Sequence, residues 1–170
     1  DSRGLLHTSR HPHLDALTAT PMTPVLAAAL ITHVIVGIVG IGMHNVLLMH
    51  LLKHEPKFAF LEKVAWGAVF FYLIAWATSA YYYVTYYGTA VKPRILAGTT
   101  PIGHSFFMEA KEHVFLLLPF AAIAIAIAVS YLKRHPDHSV RKSVAFLTLV
   151  TLASSIFVAG AGIFVSGSVK

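Results

Sequence analysis

The 170-residue chain contains no cysteine and little charge. Without cysteine it has no disulfide, no thiolate ligand for haem, no Cys-held iron–sulfur cluster and no covalent c-type haem attachment. Asp, Glu, Lys and Arg make up 12% of the residues, where an ordinary soluble domain has about 25%. Hydrophobic residues reach 56% and the mean hydropathy is +0.70. Together these values exclude an ordinary soluble domain and a disordered chain. Phosphate-binding and hydrolytic motifs are also missing: the glycines of Gly37–Gly42 lie inside an apolar run and form no nucleotide loop. Acidic residues are scarce, 7 against 13 Lys and Arg, which leaves a net charge of +6. In a membrane chain such a surplus reports topology and lipid headgroups, not nucleic acid.

What the sequence does have is four long apolar runs, near Pro24–Leu52, Val64–Val84, His113–Leu132 and Val144–Val165. Each is close to the ~20 residues that cross ~30 Å of hydrocarbon as an α-helix. The runs do not alternate as barrel strands would. The expected fold is an all-α integral membrane four-helix bundle of two tandem two-helix hairpins, 24–87 and 104–166. A polar tail, residues 1–23, precedes the membrane domain 24–170. Connections are expected at Lys53–Lys63, Gly88–Gly103 and Lys133–Lys142.

Seven Lys and Arg crowd the first and third connections: Lys53, Lys57, Lys63, Lys133, Arg134, Arg141 and Lys142. The opposite side carries Arg3, Arg10, Lys92, Arg94 and Lys170. The positive-inside rule then puts the first and third connections in the cytoplasm and both termini outside. Asp1 is not an initiator Met, and a removed leader peptide would fit an outside N-terminus. A bacterial or archaeal cytoplasmic membrane is the expected location. The tyrosines Tyr81, Tyr82, Tyr83, Tyr86 and Tyr87 are expected as an aromatic belt at the outer interface.

Shifting the chain by 80 residues brings His33-Val34 onto His113-Val114, Leu52-Lys53 onto Leu132-Lys133, Pro56 onto Pro136 and Val64-Ala65 onto Val144-Ala145. Such an internal repeat predicts two hairpins related by a pseudo-twofold axis along the membrane normal. His33 and His113 each precede the matched leucine by 19 residues, so they share one depth, roughly 28 Å from the basic end at 1.5 Å per residue. The axis would turn the two imidazoles toward each other, as the axial ligands of one b-type haem iron near the outer face. Another metal, or an interfacial pair with no ligand role, are the alternatives. Gly37 and Gly40 lie on the His33 face and would leave room for a flat macrocycle, although Leu117 and Phe120 stand at the equivalent positions. Lys92, Arg94 and Lys111 are candidates to pair the propionates.

His44 shares the His33 face about 16 Å deeper, but its repeat partner is Ala124, so a matched second pair is absent. A quinone, a partner subunit or a backbone carbonyl are its candidate contacts. His104, Met108, Glu109 and His113 form an alternative copper-handling group. His7, His11 and His13 lie in the tail, and His11-Pro12-His13 has metal-binding spacing. The size, span count and transmembrane histidines resemble the four-helix b-type cytochrome subunits of respiratory complexes, such as those of hydrogenases and formate dehydrogenases. The resemblance implies an electron-transport subunit that passes electrons between a partner redox protein and the quinone pool, within a larger membrane complex. Those families usually hold two haems, whereas one matched pair is present here. A cofactor-free anchor subunit is the alternative function, and small residues in Ala121–Ala128 and Ala159–Gly162 suit such packing with partners.

Overall fold

The computed structural model describes residues 21–169; the tail histidines and Lys170 lie outside the described residues. Four helices are each long and apolar enough to cross a membrane, so the chain is a multi-pass integral membrane protein of the all-α class. The first is α1 (Pro24–Leu51). The second span is one rod, Phe58–Ala97, made of α2 (Phe58–Tyr82), a π-helical stretch Tyr83–Val91 and the short α3 (Lys92–Ala97). The third joins a π-helical stretch Gly103–Met108 to α4 (Glu109–Arg134), and the fourth is α5 (His138–Gly167).

The second, third and fourth spans overrun the expected apolar runs at their charged ends. Their termini are specified locally. Pro24 opens α1 behind Thr23, whose Oγ1 accepts from Leu26 N at 3.3 Å. Asp137 caps α5 by accepting from Val140 N at 2.9 Å. Glu109 and Glu112 stand in the first turn of α4, and Lys133 and Arg134 in its last, where each sign suits the helix dipole. The connections shrink accordingly to short turns at 52–57, 98–102 and 135–137.

α1 packs on α2 and α5, and α4 packs on the same two, so α1 and α4 occupy opposite corners of the bundle. The main core joins Leu47, Leu61, Tyr72, Ile125, Val129 and Val158. At the lysine-rich end, Lys133 pairs with Glu62 at 2.5 Å, and Arg141 donates to the carbonyls of Lys53 and His54. At the opposite, tyrosine-rich end, a second cluster gathers Tyr87, Val91, Ile95, Met108 and Val165.

The two hairpins are present, but the repeat does not carry over into which face turns inward. On α4 the buried stripe includes Leu118, Ala122, Ile125, Val129 and Leu132. The positions 80 residues earlier, Ile38, Gly42, Asn45, Met49 and Leu52, are all exposed. Conversely α1 buries Gly40, His44, Leu47 and Leu51, whose counterparts Phe120, Ala124, Ile127 and Tyr131 are exposed. Relative to the repeat, α1 is turned by about half a revolution.

Candidate functional site

Two π-helical stretches meet at the tyrosine-rich end through Tyr87 and His104, and a proline follows the first. Pro93 has no N–H and its ring crowds the carbonyl four residues back, so one bond of the i→i−4 ladder is missing there. The widened stretch Tyr83–Val91 lies just before it. Between these stretches, α1 and α5 lies a cavity of about 310 Å³. Its polar lining includes His33, Tyr83, Tyr87, Arg94 and Lys111, with Met108 beside them. Tyr83 and Tyr87 stack at 5.3 Å, and the buried Tyr87 hydroxyl lies 3.0 Å from Nδ1 of the buried His104. A further cavity of about 230 Å³ continues past Tyr83 and Lys111 toward Trp76 and Glu112.

His33 reaches into the bundle. Its Nδ1 lies 2.9 Å from the Ala75 carbonyl of α2. A carbonyl only accepts, so Nδ1 carries the hydrogen and donates, which leaves the Nε2 lone pair free. A metal-binding imidazole is commonly held this way by a carbonyl behind it. The ring also meets Phe115 of α4 edge to face at 5.5 Å.

The structure does not bring His113 to His33. His113 is exposed, and its Nδ1 donates to Glu109 O of its own helix at 2.6 Å. Phe115 is two residues on, about 200° around α4 at 100° per residue, and that residue faces His33. The half-turn of α1 against the repeat is the physical reason: equal depth is kept, facing direction is not.

The two glycines also divide. A side chain at Gly37 would meet nothing within 4 Å, so that space is open. Gly40 clears no slot, because a Cβ there would overlap the ring of Tyr72, which occupies the place. Arg94 lines the cavity; Lys92 opens α3 and is not among the lining residues. The tyrosine belt is mixed, with Tyr81 exposed as a belt residue and Tyr87 buried and hydrogen-bonded. His104 and Met108 are buried while Glu109 and His113 are exposed, so these four do not converge. Among the described residues no group of three or more His, Asp or Glu is placed to hold a metal ion.

Deeper in the bundle, His44 is fully buried and its ring stacks on Tyr72 at 5.0 Å. Nδ1 donates to Gly40 O at 3.1 Å, and Nε2 has no partner among the described residues. The Tyr72 hydroxyl meets Ser155 Oγ at 2.7 Å, and Ser155 donates to Thr151 O. Tyr72, Ser155 and the Tyr87–His104 pair are not evident from the sequence, since each depends on the rotation of neighbouring helices. No protein-family model, no curated protein and no solved structure matches the chain.

Proposed function

We propose that the chain is an electron-transfer subunit of a membrane complex, with its redox group held in the cavity at the tyrosine-rich end. The observation that carries this reading is the meeting of His33, Arg94 and Lys111 in one cavity. A b-type haem needs a nitrogen lone pair, apolar walls and cations for its two carboxylates. His33 has its Nδ1–H tied to Ala75 O and an Nε2 without a hydrogen-bond partner among the described residues, Met108 and Val165 supply apolar wall, and Arg94 and Lys111 supply charge. Its volume falls at the lower end of the ~300–1,000 Å³ of small-molecule sites. The residues fit a haem ligated through His33 alone from this chain; with His113 turned outward, they do not fit the His33–His113 pair. When bound, the group supplies one-electron redox chemistry at its iron. The chain's own residues bind it, balance its charge and exclude water. Electrons would then pass between a partner redox protein and the quinone pool.

A reduced-minus-oxidised visible spectrum of the protein purified from its own membranes tests the reading. Haem bands are expected, lost or much weakened in His33→Ala and retained in His113→Ala. A protein with no visible bands overturns it. That outcome leaves the second reading, a cofactor-free anchor subunit, which the outward position of His113 favours. Lipid contact is common to both. The basic end, with Lys53, Lys57, Lys133 and Arg141, is the cytoplasmic one by the positive-inside rule. Impermeant thiol labelling of Ala90→Cys from outside but not of Pro136→Cys is expected, and equal labelling of the two would reverse or abolish that assignment.

A further inference from the structure

α1 is the least enclosed of the four spans. In its most apolar stretch 11% of residues are buried, against 33–39% in the others. Its outward side is not a random lipid-facing surface. The exposed residues Ala28, Ile31, Ile35, Ile38, Gly42, Asn45, Met49 and Leu52 follow one another at steps of 3, 4, 3, 4, 3, 4 and 3. That is an unbroken 3.5-residue repeat, the spacing of a left-handed helix pair. By the 80-residue repeat, its counterpart on α4 is the stripe that packs the bundle core.

One member of the stripe is polar. Asn45 lies in the apolar run of α1 with its amide exposed, and no side-chain hydrogen bond of Asn45 exists among the described residues. In hydrocarbon an amide without partners is costly. One turn away, Gly42 is exposed and a Cβ there meets nothing within 4 Å, so another backbone has room to approach.

We infer that this face of α1 pairs with the same face of a second copy of the chain, in a parallel dimer whose axis runs along the membrane normal and passes beside Asn45. A single amide selects this occupant. Copies inserted in one orientation are related by an axis along the normal, which sets α1 and its copy parallel and in register, each residue opposite itself. An asparagine is self-complementary in that position: its NH₂ donates to the other's Oδ1, and the reverse, so both amides are satisfied at once. A single Asn at such a position also fixes register. The inference does not depend on a haem, since neither Asn45 nor Gly42 lines the cavity.

The chain has no cysteine, so single cysteines report without background. In native membranes under mild oxidation, Ile38→Cys and Gly42→Cys are expected to give disulfide-linked dimers. Ile163→Cys, on the 77% exposed residue of α5, is expected to give none. Adding Asn45→Val to Ile38→Cys should lower the dimer yield about threefold or more, and Asn45→Gln should restore part of it. Equal cross-linking at Ile38 and Ile163, no dimer from either α1 variant, or disulfides from α1 only to a different polypeptide would each overturn the proposal. So would a dimer yield indifferent to Asn45→Val.

Discussion

α1 and α4 begin from matched sequence and end in opposite environments. They are equivalent in the 80-residue repeat, run in the same direction and stand at opposite corners of the bundle. Yet the stripe that α4 buries is the one α1 exposes, and the reverse. The deciding contacts are small and specific. α1 sets Gly40 against Tyr72 and His44 on its ring, where α4 has Phe120 and Ala124 facing outward. Inside a bilayer such contacts can outweigh general apolarity, because lipid tails are as apolar as leucine and do not sort one apolar face from another.

Exchanging residues at matched positions tests this contrast. The largest effect is expected from Gly40→Leu, which forces a side chain into the Tyr72 ring; about 3 kcal/mol of destabilisation, read as loss of helical circular dichroism on denaturant titration in detergent, is the expectation. Phe120→Leu, the equivalent change on α4, should leave the same titration in place. Next, Ile125→Ala opens a gap in the core and should cost roughly 2 kcal/mol. Asn45→Ala, its counterpart, should leave the monomer's stability alone and act on dimer yield. If the two variants destabilise equally, the half-turn of α1 is wrong.

Smaller effects sharpen the same comparison. His33→Ala removes an inter-helix hydrogen bond to Ala75 and the edge contact with Phe115, worth about 1 kcal/mol. His113→Ala loses only a bond within its own helix, and its unfolding should coincide with that of the parent. Matching losses in both would return the two histidines to a shared role. Least is expected of Lys133→Met, which breaks the exposed ion pair with Glu62. No resolvable change in unfolding midpoint is expected at moderate salt, because exposed pairs are screened and hold two mobile side chains.

Span number and helical class were legible, because about 20 consecutive apolar residues have few other uses. The span ends were less so: Lys63, Lys92 and Lys142 read as connection residues, yet all are helical, because a helix continues past the hydrocarbon where water satisfies its charges. Depth was legible for His33 and His113, since rise per residue is fixed. Azimuth was not. It hangs on which helix supplies a carbonyl, here Ala75, or a socket, here Gly40, and neither leaves a pattern in its own sequence. Gathering Arg94 and Lys111 into one cavity depended likewise on the widened turns before and after α3.

The tyrosine-rich end is sensitive to residue count. In a π-helical stretch each backbone bond spans five residues where an α-helix spans four. Removing one residue from 83–91 offers the chain a route back to ordinary α-helix with little change of phase, whereas removing one from 58–82, where the helix is already regular, turns every side chain beyond by about 100°. Arg94 would leave the cavity while the four spans, their lengths and their hydropathy stayed as they are. At this end, a deletion that is invisible to hydropathy therefore has the reach of several point substitutions. Insertions and deletions, more than exchanges of one residue for another, are the changes through which the lining of this cavity can be rewritten.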